Sequence, residues 1–248
     1  MLVLGVESAT DMAGVALADD TGVLAEVSLA RGRRHGESIA PAIEFVCARV
    51  GVALRQIDAV AADVGPGLFT GLRVGVATAK GIGFALDIPV VELSSLELLA
   101  IDMGRRLGAG SARPCRLVPV VDARRGQLFA AEFRPAPAGE AGLEQTGEDH
   151  LADPDALAGE VRSLVSTGER VVCAGDGARR YAELLTSAGA ELVPGVVSPD
   201  PGILATVGRA RVAAGSGRDA SKVAARYLRP ADVRINWETR FGPRPVTT

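Results

Sequence analysis

Histidine is almost missing from this chain: His35 and His150 are the only two among 248 residues, and no His-x-x-x-His pair exists. Aromatic residues are scarce too, with six Phe, two Tyr and one Trp. A core must therefore be built from Val, Leu, Ile and Ala, which favours layered strands and helices over an aromatic-rich binding module. Lysine occurs only at Lys80 and Lys222, so nearly all positive charge is arginine. The net charge of −3 and pI near 5.5 argue against a basic nucleic-acid clamp, because phosphate contacts need clustered cations. If RNA is involved, another subunit is expected to hold it. Cys47, Cys115 and Cys173 are isolated and odd in number, which speaks against a disulfide framework or a zinc ligand set. No stretch approaches the roughly 20 apolar residues that span a bilayer, and the opening Met1 to Glu7 has neither a basic region nor a signal-length apolar run. The expectation is a cytoplasmic protein with no membrane partner.

What is present is hydrophobicity, 48% of residues, in short runs cut by glycine corners. Leu2–Val6, Ala13–Ala18 and Val23–Leu29 read as three meandering antiparallel strands. Ile39, Ile43, Val46 and Val50 then repeat at helical spacing up to Gly51, flanked by Ala42 and Phe45. After a strand at Val90–Leu93, Ser94-Ser95-Leu96-Glu97 has the spacing of a capping box and opens a helix. Gly108 to Pro114 breaks the periodicity and divides the chain into halves at 1–107 and 115–230. In the second half Leu117 to Phe133 repeats the strand, acidic turn and returning strand of Leu2 to Ala18, with Asp122 standing where Glu7 stood. Pro135 to Asp149 reads as an exposed loop. Asp153-Pro154 opens a helix, Val171–Ala174 is a strand, and Gly175-Asp176-Gly177 forms a corner before a helix over 178–187. A last helix is expected over 198–214, and the tail at 231–248 is expected to be partly disordered.

The most distinctive stretch is Asp63-Val64-Gly65-Pro66-Gly67-Leu68-Phe69-Thr70-Gly71-Leu72-Arg73, a strand, a glycine corner and a helix start. Gly65 and Gly67 allow close backbone approach, and the Thr70 hydroxyl is placed to cap the helix. Two readings follow. A helix N-terminus behind such a corner could receive an anion or nucleotide phosphate, through Gly65, Gly67, Thr70 and Gly71. Alternatively the corner is an architectural joint that packs the helix tightly on its sheet. Its echo at Gly175 to Gly177, and a first turn at Glu7 to Asp11 that has no glycine, favour the joint. Glu7 and Asp122 are then expected to satisfy backbone groups of their own turns.

Gly65 to Gly75, the opening Gly5 to Thr10, Val121 to Phe129 and the late Tyr227-Leu228-Arg229-Pro230 together resemble the TsaB (YeaZ) family, in order and spacing across most of the chain. The resemblance implies a duplicated actin-like, Hsp70-like (ASKHA) α/β fold with two βββαβα-type halves. It also implies a role in placing threonylcarbamoyl on adenosine 37 of tRNAs that read codons beginning with A. Members of the family partner the catalytic TsaD, act with the ATPase TsaE and are regarded as scaffolds without an active site. TsaD itself carries a metal-binding His-x-x-x-His pair, which this sequence lacks. No catalytic residue, no metal site and no cofactor held by this chain alone are expected, with ATP or ADP at most at the junction with a partner. The expected interface lies on the helices at 37–50 and 70–86, through Ile39, Ile43, Val46, Leu72, Arg73, Val76 and Lys80. That face would serve TsaD, or a second copy when the chain is alone, and tRNA would be met only through the complex. The competing readings are an ATP-dependent small-molecule kinase of the same superfamily and, further off, a metallopeptidase-like protein.

Overall fold

The computed structural model describes residues 1–30, 35–108, 115–136 and 142–229; most of the expected inter-half connection and the tail at 231–248 lie outside the described residues. The apolar runs form two sheets of one plan. In the first, β1 (Val3–Glu7), β2 (Ala13–Asp19) and β3 (Gly22–Leu29) are antiparallel, and β4 (Ala59–Asp63) and β5 (Val90–Leu93) add parallel to β1, giving the order β3-β2-β1-β4-β5. In the second, β6 (Cys115–Arg124) takes the place of β1 and pairs antiparallel with β7 (Gln127–Ala130). It pairs parallel with β11 (Arg170–Ala174), and with β10 (His150–Ala152) and β12 (Glu191–Leu192) the order is β10-β7-β6-β11-β12. The repeated order bears out the duplicated actin-like α/β class.

Strand alternation determines what covers each face. Leu4, Val6, Val60 and Ala62 point to one side of the first sheet, where they meet α1 (His35–Val50) and α2 (Phe69–Leu86). Val3, Ala59 and Ala61 point to the other, against Ile203, Leu204 and Val207 of α7 (Pro201–Ala213). Burial on both faces is why these strands read as nearly unbroken apolar runs. Helix α7, late in the chain, thus packs back on the first sheet, so closely that a Cβ on Gly5 would lie 2.8 Å from the Pro201 carbonyl oxygen. Helix α3 (Ser95–Leu107) stands between the sheets. Leu96, Leu99, Ala100 and Met103 enter the core of the second, while Leu98 and Ile101 join the α7 side of the first. The far face of the second sheet is covered by α4 (Pro154–Ser166), α5 (Asp176–Arg180) and α6 (Ala182–Ser187).

The fold departs from the sequence reading in several places. Ile39, Ile43, Val46, Leu72 and Val76 are all buried within the chain, at most 7% exposed, whereas Arg73 is exposed and Lys80 is half-buried. Each such aliphatic side chain contributes about 1.5–3 kcal/mol by leaving water, and that gain goes to the sheet underneath. Thr70 does not cap α2: Leu68 holds the N-cap position without a side-chain bond, and Thr70 lies exposed inside the first turn. Ser94 does cap α3, accepting the Leu96 N–H at 3.2 Å, but Glu97 turns away to pair with Arg211 instead of closing the box. Asp153 caps α4 by position only, since its carboxylate takes the Gln127 amide. The expected loop at 135–149 contains β9 (Leu143–Gln145), which pairs with β8 (Phe133–Pro135) at the edge of β6. The helix expected over 178–187 is broken at Tyr181 into α5 and α6, which lets Ala178 and Leu185 both reach the core.

Candidate functional site

Four acids end four strands where the two halves meet. Glu7 and Asp63 close β1 and β4, Asp122 sits near the end of β6, and Asp176 follows β11. The two halves therefore place their carboxylates at equivalent positions, at the carboxyl ends of the central parallel strands. Sequence reading paired Glu7 with Asp122 but passed over Asp63 and Asp176. The signal for them was available, since each stands at the end of a short apolar strand within two residues of a glycine.

Their surroundings differ. Glu7 is buried and its Oε1 accepts the Ala9 N–H at 2.7 Å, so it satisfies its own turn as expected. Burial pushes its carboxyl well above the usual range, and the neighbouring Asp63 pushes it further. Asp63, 1% exposed, accepts the Ser95 hydroxyl on both oxygens at 2.7 and 2.9 Å, and the Gly65 N–H at 2.8 Å. Burial outweighs those bonds and raises it to about 7. Asp176 is also raised, first by burial; it accepts the Asp122 N–H at 2.9 Å. Asp122 is the one with cations: its Oδ2 faces Arg124 at 3.1 Å and Arg180 at 3.0 Å, and its Oδ1 accepts the Arg124 N–H at 2.8 Å. Arg124 also bonds Asp11 and so ties the turn of the first half to that of the second. To hold this position Arg124 and Arg125 adopt left-handed backbone, with φ of 63° and 55°.

The glycine corner lies directly over these acids. Several of its polar atoms have partners inside the chain: the Leu68 N–H donates to the Ala9 carbonyl at 2.6 Å, and the Ser8 hydroxyl donates to the Gly71 carbonyl at 2.8 Å. The Gly65 carbonyl accepts the Ser95 N–H at 3.1 Å. A Cβ on Gly67 would lie 2.2 Å from the Ala9 carbonyl oxygen, and one on Gly75 would lie 2.3 Å from the Ser8 hydroxyl oxygen. The corner and the Glu7–Asp11 turn are therefore interlocked. Of the residues named for an anion, Gly65 and Gly71 are buried, Gly67 is pressed on Ala9 and Thr70 is exposed. The Gly65 and Leu68 N–H groups of the corner are bonded to Asp63 and to the Ala9 carbonyl, with the Asp63 carboxyl beneath. Among the described residues no group of three or more His, Cys, Asp or Glu is placed to hold a metal ion.

Beside the corner is a cavity of about 440 Å³ lined by Glu92, Ser94, Glu97, Phe133, Arg211 and Arg226, among others. Its charges are matched internally. Arg211 pairs with Glu97 and donates to the Glu92 carbonyl at 2.9 Å, and Arg226 faces Asp149 at 3.2 Å. Outside it, three of the exposed apolar residues lie on the helices over the first sheet: Phe45 on α1 and Phe69 and Phe84 on α2 are 54%, 38% and 82% exposed. Arg73 lies over the Phe69 ring at 3.9 Å, and Tyr227 packs on that ring at 5.1 Å. No helix among the described residues is long and apolar enough to cross a membrane.

Comparison with known proteins gives one consistent result. Residues 21–177 match the family described as TsaD: tRNA N6-adenosine threonylcarbamoyltransferase. The tRNA threonylcarbamoyladenosine biosynthesis protein TsaB of Escherichia coli is 33% identical over 134 residues, 54% of this chain and 55% of that protein. Its namesake from Bacillus subtilis is 31% identical over 134 residues, 54% and 56% of the two chains. The chain spans about half the length of the curated relatives it matches. In structure it resembles YeaZ from Pseudomonas aeruginosa, with a TM-score of 0.75 and 25% identity across 92% of this chain and 99% of that one. By the family match over most of its length and by these relatives, the chain belongs to the TsaD family, on its TsaB (YeaZ) branch.

Proposed function

We propose that this chain serves tRNA threonylcarbamoyladenosine biosynthesis as a scaffold subunit, holding TsaD in its active arrangement with TsaE acting in the larger complex. The observation that carries this reading is the interlocked corner. The Gly65 and Leu68 N–H groups of the corner are bonded within the chain, and the four acids near it are bonded to turn N–H groups, to Ser95 and to arginines. A scaffold works by population shift: it binds the active form of its partner better and raises the fraction of partner in that form.

The α1–α2 face is the docking surface in this reading, through residues other than the apolar stripe of the sequence. Ile39, Ile43, Val46, Leu72 and Val76 support the face from below, and Phe45, Arg73 and Phe84 present it to TsaD, with Lys80 at its edge. A standard interface would cover about 800 Å² per partner. Without TsaD the same face would pair with a second copy about a two-fold axis. tRNA meets the chain only within the complex, and a nucleotide at the junction would be held by groups of TsaD. The test is reconstitution of purified TsaD, TsaE and the threonylcarbamoyl-adenylate synthase on tRNA, with and without this chain. Modification is expected only when the chain is present; an equal yield without it refutes the scaffold.

A further inference from the structure

One segment near the end of the described chain touches both halves in succession. Arg218 exchanges backbone hydrogen bonds with Val90 on the edge strand of the first sheet, both at 2.9 Å. The Lys80 ammonium on α2 then donates to the carbonyls of Ser221 and Val223, at 3.3 and 2.8 Å. Ala220 and Val223 are buried in the α1–α2 core, and the Ala224 N–H reaches the Glu92 carboxylate at 3.0 Å. Next the chain crosses the back of the glycine corner, where the Arg226 N–H donates to the Val64 carbonyl at 2.7 Å. From there its partners belong to the second half. Arg226 Nη1 faces the Asp149 carboxylate, whose side chain is 2% exposed, at 3.2 Å. Leu228 packs into the core of the second sheet, and Arg229 donates to the Ala123 carbonyl at 3.0 Å and to the Gln127 amide oxygen, clasping the β6–β7 turn.

We propose that residues 218–229 are a latch, anchored on α2 at one end and on the β6–β7 turn at the other, that fixes the two halves at one angle and keeps the facing turns at Glu7–Asp11 and Asp122–Gln127 together. The inference stands apart from the scaffold reading, because it concerns the motion of this chain alone. The opening of a two-lobed fold about its hinge needs the lobes to separate at their facing turns. Arg229 holds the β6–β7 turn by its backbone and by Gln127, so that turn moves only when the strap lets go or its far anchor slides. The Lys80 and Arg229 side chains hold the latch through bonds to carbonyl and amide oxygens, and Arg226 through its ion pair with the buried Asp149, so removing them lowers the free energy of local opening.

The test is amide hydrogen exchange on the isolated full chain. Arg226→Ala is made together with Asp149→Asn, so that no buried carboxylate is stranded, and Arg229→Ala is added to free the turn. Exchange at residues 8–12 and 122–127 should rise at least tenfold, with the interiors of α1 and β4 unchanged. Lys80→Ala, which touches only the far anchor, should raise exchange at 122–127 in the same way. Unchanged exchange at the two turns would overturn the latch and leave the halves held by other contacts, α3, α7 and the Arg124–Asp11 pair among them. A uniform rise across the whole chain would overturn it as well, since that reports global instability.

Discussion

Replacing Asp63 by Asn should change how the stability of this protein depends on pH. In the folded chain Asp63 keeps its proton up to about pH 7, because burial outweighs the bonds from Ser95 and Gly65. In the unfolded chain the same carboxyl releases its proton near 4. The folded state therefore binds more protons between these values, and stability falls as pH rises through that window. At about 1.4 kcal/mol per unit over roughly three units, the ionised Asp63 costs about 4 kcal/mol by pH 8. That is a large share of the 5–15 kcal/mol by which domains are usually stable. Asn keeps the shape and an oxygen to accept from Gly65 and Ser95, at a cost of about 1 kcal/mol where its amide meets the Ser95 hydroxyl. Urea melts of both proteins from pH 4.5 to 8 measure the effect. The wild type should lose stability steadily with rising pH, and Asp63→Asn should lose much less and be the more stable protein at pH 8. Glu7, shifted in the same direction, leaves a residual slope in both. Parallel curves across the range would refute the buried, uncompensated carboxyl.

Four further outcomes are expected. Gly67→Ala drives a methyl to 2.2 Å from the Ala9 carbonyl and disturbs its bond to the Leu68 N–H, so it should cost about 2–4 kcal/mol and lower Tm by about 4–15 °C in thermal melts. Gly81→Ala, in the same helix but with open space at its Cβ, should instead stabilise by about 0.5–1 kcal/mol in urea melts. Val46→Asp places an unpaired charge where exposure is zero and should cost about 4 kcal/mol, seen as lost near-UV circular dichroism at moderate urea. Phe84→Asp, at 82% exposure, should change stability by no more than about 0.5 kcal/mol and abolish co-purification with TsaD.

The sequence by itself determined a good deal. Short Val, Leu and Ala runs placed β1, β2, β3, β5 and β11 to within a residue or two, and the likeness of Leu117–Phe133 to Leu2–Ala18 disclosed the duplication. Glu7 and Asp122 were legible as turn acids because an acidic residue ending a strand has free backbone N–H groups directly ahead of it. Tertiary structure decided the rest. Periodicity says that Ile39, Ile43 and Val46 share a face, but only the strands beneath show that the face is filled by this chain and closed to a partner. Thr70 looked like a cap because local chemistry favours it, yet the free N–H of Leu68 is met by Ala9, 59 residues earlier. The bonds of Asp63 to Ser95, the return of α7 to the first sheet and the strap from Lys80 to Gln127 all join residues far apart in the chain. Such contacts leave no periodic mark, since they depend on where two sheets come to rest against each other.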